Sequence, residues 1–195
     1  MTLALFDFDG TITRRDSLFD FVRFYHGDAR FFRGMLRLLP MLVWFKLGQM
    51  PNWQAKEQLL TRFFGGEPVD TFRQKAQTYA QQRLPQIVKD SALRKIEEFQ
   101  RQSADVYVVS ASAEDWLRPW CDNIGVKLIA TRLAVQDGRL SGRIAGYNCH
   151  GPEKVRRVQA VIELDRYDKI YGYGDSSGDR ELLALTHYPH YRFFR

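Results

Sequence analysis

Apolar residues fall in five short runs along the chain, at Leu3–Phe8, Val106–Ser110, Lys127–Ala130, Lys169–Tyr173 and Tyr191–Phe194. Runs of this length, rich in aliphatic and aromatic residues, predict strands, and their near-continuous apolarity predicts burial on both faces. Between the later runs the apolar positions recur with helical spacing over Glu114–Asn123, Glu153–Leu164 and Gly178–Leu185. Strands alternating with helices predict an α/β fold, a Rossmann-like parallel sheet covered by helices. The stretch "AVQDGRLSGRI" departs from this rhythm. Its Asp137-Gly138 pair between alternating segments predicts a β-hairpin.

The alternation breaks between the first and second strands. Residues 16–85 contain helical patterns rich in Phe, Trp, Leu and Arg, punctuated at Gly27, Pro40, "GQMP" and "GGEP". This predicts an inserted helical cap, with a core domain formed by residues 1–15 and 86–195; the helix "DSALRKIEEFQRQ" leads back into that core. Inside the insertion, "RGMLRLLPMLVWFKLGQM" has only eight uncharged residues between Arg37 and Lys46, too few to span a bilayer. Pro40 is expected to split this run into two short helices. The run is either the insertion's own core or an interfacial helix. In the second case Met35, Leu36, Leu39, Met41, Leu42, Val43, Trp44 and Phe45 form a contiguous apolar patch flanked by Arg33, Arg37 and Lys46.

Composition narrows the choices. With 195 residues and 45% apolar content the chain suits one globular domain with an insertion, and disorder is excluded. The formal net charge is +6. Arg14–Phe64 holds nine Lys/Arg against four Asp/Glu, so this region matches an anionic partner such as a phosphate or an acidic lipid surface. The two cysteines, Cys121 and Cys149, have no metal-ligand spacing, which points to a reducing compartment. A strand begins by Leu3 with no secretory segment before it, so the expected location is cytoplasmic, or peripheral at the membrane.

Candidate chemistry gathers at the strand ends. "LALFDFDGT" sets Asp7 and Asp9 one residue apart after an apolar run. Period-two alternation would aim both the same way if the strand persisted. Like charges this close need a cation between them, or a proton on one of them. "VYVVSAS" ends a strand at Ser110, followed by Ala111, a ready anion contact at a helix start. Lys154 in "GPEKVRRV" lies in a first helical turn, where the helix dipole disfavours a cation. "YGYGDSSGD" adds Asp175 and Asp179. Oxygen ligands of this kind beside a phosphate suit Mg²⁺. All of these positions converge on the carboxyl edge of a parallel sheet, where open α/β folds bind ligands.

The order of these pieces resembles the haloacid dehalogenase superfamily of phosphohydrolases. "DFDGT", "VVSAS", Lys154 and "GDSSGD" look like its four motifs. The insertion resembles its C1-capped subgroup, and "ATRLAVQDGRLSGRIAG" followed by "GPEKV" resembles the phosphoserine-phosphatase-like subfamily IB. The resemblance implies a Mg²⁺-dependent phosphomonoester hydrolase. Asp7 would be the nucleophile that forms an aspartyl-phosphate, and Asp9 the general acid and then the base. Gly10, Thr11, Ser110, Ala111 and Lys154 would lie around the phosphoryl group. Asp7, the backbone carbonyl of Asp9, and Asp175 would bind the metal, with Asp179 orienting Lys154 or a metal-bound water. Asp16 either receives the substrate's amino group or caps a helix. Dehalogenases lack the second acid, so Asp9 argues against that activity. The substrate is either a small soluble phosphomonoester, phosphoserine-like, or a lipid phosphate such as phosphatidylglycerophosphate. No nucleic-acid partner is expected, whereas peripheral contact with an anionic membrane through the insertion is. The alternative is a non-catalytic Mg²⁺- and phosphate-binding receiver-like module, or a lipid-binding one.

Overall fold

The computed structural model of the protein describes residues 1–194, so only the last residue of the expected core lies outside it. Five parallel strands form one sheet in the order β3-β2-β1-β6-β7. They span Thr2–Phe6 (β1), Asp105–Ala113 (β2), Lys127–Thr131 (β3), Lys169–Gly174 (β6) and Tyr188–Tyr191 (β7). β1 sits in the middle, with Phe6 paired to Val108 on one side and Tyr173 on the other. Its side chains alternate between two cores. Ala4 and Phe6 join one apolar cluster, and Leu3 and Leu5 join the other. The helices α6 (Asp90–Arg101) and α7 (Glu114–Asn123) supply Ile96, Phe99, Trp116 and Leu117 to the first. The helices α8 (Pro152–Val161) and α9 (Arg180–Ala184) supply Val158 and Leu182 to the second. A strand apolar on both faces is therefore covered on both, as its sequence requires.

Several boundaries differ from the sequence pattern. β1 stops at Phe6, so Asp7 and Asp9 lie in a turn and strand alternation does not aim them. β2 continues past Ser110 to Ala113, with an irregularity between those residues. The last strand is Tyr188–Tyr191, three residues before the expected run; Pro189 lies on this sheet edge, where its missing N–H is tolerated. α8 ends at Val161, before a short 3-10 turn at Leu164–Arg166, and another such turn, Ser177–Asp179, precedes α9. The hairpin is present as β4 (Leu133–Gln136) and β5 (Arg139–Ile144), with Asp137 and Gly138 both at positive φ. It forms its own two-stranded sheet.

After β1 the chain runs through α1 (Ser17–His26), α2 (Asp28–Lys46), α3 (Asn52–Phe64), α4 (Val69–Gln82) and the short α5 (Leu84–Ile87) before α6. Departure and return lie side by side, joined by a bridge between Thr13 and Val88. The Phe21 ring packs among Tyr25, Phe64, Phe72 and Tyr79 and stacks on Trp116 of α7, with centroids 5.0 Å apart. Aromatic contacts thus join the inserted helices to the sheet layer.

Pro40 does not break the apolar run, and α2 is continuous from Asp28 to Lys46. Pro40 and Leu36 both face solvent, so the Leu36 carbonyl deprived of its i+4 partner meets water. The apolar residues of this run divide between faces. Leu38 and Met41 are buried and Met35 and Leu42 half-buried, while Leu36, Leu39, Val43, Trp44 and Phe45 are exposed.

Gly142 clamps the hairpin onto α3. Its φ is +78°, and a Cβ there would overlap the Thr61 backbone. Gly142→Ala is expected to cost about 1–3 kcal/mol and to lower Tm by several degrees in calorimetry. Gly138→Ala, where nothing lies close, is expected to cost only the conformational part.

Candidate active site

The turn after β1 is built to hold two acids. The Asp7 N–H donates to the Tyr173 carbonyl at 2.8 Å, extending the sheet by one bond. Thr13 is buried, with its hydroxyl donating to the Arg15 carbonyl at 2.7 Å. The Lys89 ammonium clamps the Gly10 carbonyl at 2.6 Å. Gly10 has φ +83°, and a Cβ there would run into the Asp175 carboxylate. Only glycine meets both conditions. The turn therefore delivers Asp7 to the centre of the sheet edge and lets Asp175 approach from the end of β6.

Lys154 is the cation at the centre. It is buried, and its Nζ lies 2.5 Å from Asp7 Oδ1 and 2.7 Å from Asp179 Oδ1. Burial alone would lower its pKa, but the two carboxylates outweigh this and raise it. Asp179 is held the other way. Burial would raise its pKa, but Lys154, together with Ser176 donating through N–H and hydroxyl to Oδ2, keeps it below the ordinary carboxylate range. Asp7 is pushed up to about 7 by burial, which Lys154 only partly offsets. Burial, and then Asp179, also raises Asp175.

Asp9 has a separate environment. Its Oδ1 accepts from the Ser17 N–H at the start of α1 at 2.6 Å, and its Oδ2 accepts from the Ser112 hydroxyl at 2.5 Å. Ser17 is itself held by the Trp116 indole N–H at 3.2 Å and lies 3.0 Å from the Ser112 hydroxyl. Burial and the nearby Asp16 raise Asp9 to about 6, against these hydrogen bonds. Asp16 caps α1, accepting from the Leu18 and Phe19 N–H groups at 2.9 and 3.2 Å. It also lines the cavity.

That cavity, about 370 Å³, has two walls. Asp7, Asp9, Ser112, Lys154, Asp175 and Asp179 form the polar one; Leu18, Phe19, Leu42, Phe45, Ala55 and Leu59 make the α1–α3 side mainly apolar, with Asp16, Asn52 and Lys56 as its polar groups. Not every expected residue faces it. The Thr11 hydroxyl turns to Asp175 Oδ1 at 3.5 Å, Gly10 supplies backbone shape, and buried Ser110 lies behind Ala111, its hydroxyl accepting from the Ser112 N–H at 3.0 Å. Because β2 continues beyond Ser110, Ser112 and not Ser110 reaches Asp9.

Comparison with known proteins decides the lineage. Residues 4–184 match the family described as haloacid dehalogenase-like hydrolase. The chain is 33% identical over 195 residues to Protein CicA of Caulobacter vibrioides, covering 99% of this chain and 86% of that one.

The chain belongs to the haloacid dehalogenase-like hydrolases.

A Bordetella pertussis protein of unknown function has a similar structure, with TM-score 0.80, 26% identity and coverage of 97% and 88%. A substrate-bound phosphoserine phosphatase superposes with TM-score 0.68 at 16% identity, covering 94% and 82%. The second likeness, at this identity, is one of fold. This hydrolase carries the second acid, Asp9, two residues after Asp7.

The donor set fits a hard dication. Oxygens of Asp7, Asp175 and Asp179 lie within 4.8 Å of one another, and Lys154 supplies one positive charge to three acids. Carboxylate oxygens at this spacing suit Mg²⁺. The Asp9 carboxylate is not part of that cluster.

The composition of the insertion did not single out Lys56. From α3 it reaches the site, donating to the Ala111 carbonyl at 2.7 Å and to Asn148 Oδ1 at 3.2 Å. Burial lowers its pKa. Ser112 was visible as the second serine of "VVSAS", but nothing in the spacing says which serine faces the acid.

The raised acids make stability depend on pH. Between about pH 4, where unfolded carboxyls release their protons, and the folded values of about 7 for Asp7 and about 6 for Asp9, the folded state binds more protons. Their contribution to stability therefore falls as pH rises through this window. Mg²⁺ offsets the exposed charge, so its thermal shift is expected to be larger at about pH 8 than at about pH 5. A shift equal at both values, or absent, would remove the carboxylate cluster from metal binding.

Proposed function

We propose that this hydrolase is a Mg²⁺-dependent phosphomonoesterase working through an aspartyl-phosphate on Asp7. The observation that carries the reading is the split between two neighbouring acids: Asp7 is paired to a buried lysine, while Asp9 is hydrogen-bonded only to neutral donors. Such a split divides nucleophile from proton carrier. Lys154 holds Oδ1 of Asp7, leaving Oδ2 to attack phosphorus in line with the leaving oxygen. The bond to that oxygen breaks as Asp9 gives it a proton. Asp9, now a carboxylate, takes a proton from water, which attacks the phosphorus of the phosphoaspartate and frees Asp7 and phosphate. Lys154 and backbone N–H groups near Ala111 stabilise the phosphoryl oxygens. Asp7, Asp175 and Asp179 would hold Mg²⁺, which would supply neutralisation of the phosphoryl charge. Residues 16–85 act as the cap that closes over this chemistry.

The apolar wall favours a phosphate ester whose alcohol carries hydrocarbon, a lipid phosphate such as phosphatidylglycerophosphate included, over a phosphoserine-like one. Asp16 is engaged as a helix cap, which weakens its case as an amine receptor.

Asp7→Asn is expected to lower Mg²⁺-dependent turnover by more than about 10³-fold. Asp9→Asn is expected to lose about 10²–10⁴-fold and, with an ester of low leaving-group pKa such as 4-nitrophenyl phosphate, to accumulate a phosphoryl adduct that peptide mass mapping locates on Asp7. Substantial turnover by Asp7→Asn, or an adduct on another residue, overturns the assignment.

A further inference from the structure

We infer that α2 is a docking surface for an anionic lipid bilayer, seating the mouth of the active-site cavity at the membrane. The face of α2 opposite its packed side is apolar and uncovered. At about 100° per residue, Phe32, Leu36, Leu39 and Val43 fall on one stripe, while Gly34, Leu38 and Met41 point the other way into the protein. Leu36 is 65% exposed and Trp44, on the side of the helix that carries Arg33 and Arg37, 62%. A helix with two apolar faces has more hydrocarbon than its fold uses.

Charge identifies the occupant. Arg33 and Arg37 lie on one side of the helix between the stripe and the packed face and, with Arg30 and with Arg62 of α3, line one surface cleft. Among the described residues none of these four pairs with a carboxylate within salt-bridge distance. The chain has no acidic residue between Asp28 and Glu57. A second copy docked stripe to stripe about a two-fold axis would bring equal arginine rows together. A bilayer containing anionic lipid meets both features at once. Its hydrocarbon takes the stripe, its phosphates take the guanidinium groups, and an exposed tryptophan suits the headgroup level.

Geometry ties the surface to the site. Leu42 and Phe45, on the same helix but turned from the stripe towards its packed side, line the active-site cavity, so the cavity borders the helix that carries the stripe. α2 is about 28 Å long at 1.5 Å per residue, and no described helix is long and apolar enough to cross a membrane. It would therefore lie along the surface.

The test uses the full chain carrying Asp7→Asn, so that binding is read without turnover. Co-sedimentation compares vesicles of phosphatidylcholine alone with vesicles that also contain phosphatidylglycerol. Binding is expected only with the anionic lipid, and it should fall steeply with salt. Arg33→Glu with Arg37→Glu is expected to weaken it at least about 25-fold, at about 1 kcal/mol per basic residue. Leu36→Ser with Val43→Ser is expected to weaken it while leaving Tm unchanged, since both side chains face solvent. Brominated lipid should quench fluorescence less in Trp44→Phe. Absence of vesicle binding overturns the inference. So does binding indifferent to the arginine reversals, or a dimer in sedimentation equilibrium that Leu36→Glu dissociates.

Discussion

A single buried ammonium organises the catalytic edge. Lys154 comes from the first turn of α8, a place that disfavours cations, and is stable there only because Asp7 and Asp179 close on it from β1 and from the turn after β6. Removing the lysine would leave Asp7 and Asp179 facing each other as uncompensated charges in a dry site. Three segments distant in sequence are therefore locked to one point, and the central strand is where they meet. The conformation at Gly10 follows from the same requirement, because Asp175 must come close to the Asp7 turn for its carboxylate to join the cluster.

Asp9 is insulated from that arrangement. A polar chain leads away from it through Ser112 and Ser17, then from the Ser17 carbonyl to the Tyr79 hydroxyl at 3.4 Å and on to Asp20, which Arg83 grips with two hydrogen bonds. Asp9 is thus positioned by α1 and, through it, by α4 and the turn into α5. The inserted helices, together with Ser112 of β2, hold Asp9, and the sheet edge holds Asp7.

The sheet, its alternation with helices, the hairpin and the acids were legible in the sequence because they depend on local pattern. Leu3 to Phe6 must be buried on both faces whatever surrounds them, and Asp137-Gly138 specifies its turn. What was hidden depends on tertiary placement. Nothing local says that β1 stops at Phe6, that Ser112 and not Ser110 touches Asp9, or that Lys56 reaches back from α3 to Ala111. Pro40 misled for a related reason. Its penalty in a helix depends on whether the freed carbonyl is buried, and on α2 that carbonyl faces water. The apolar run around it was visible, but its division into a packed face and an open one needs the position of α3.

The account rests on Lys154 holding Asp7 in a state able to attack. The most direct measurement is the titration of the Asp7 carboxyl carbon by NMR in metal-free protein, wild type against Lys154→Met. The wild-type group should titrate at about 7, and loss of the ammonium should move it clearly upward, because burial then acts unopposed. An ordinary carboxylate value in both proteins, or the same value with and without the lysine, would contradict the account.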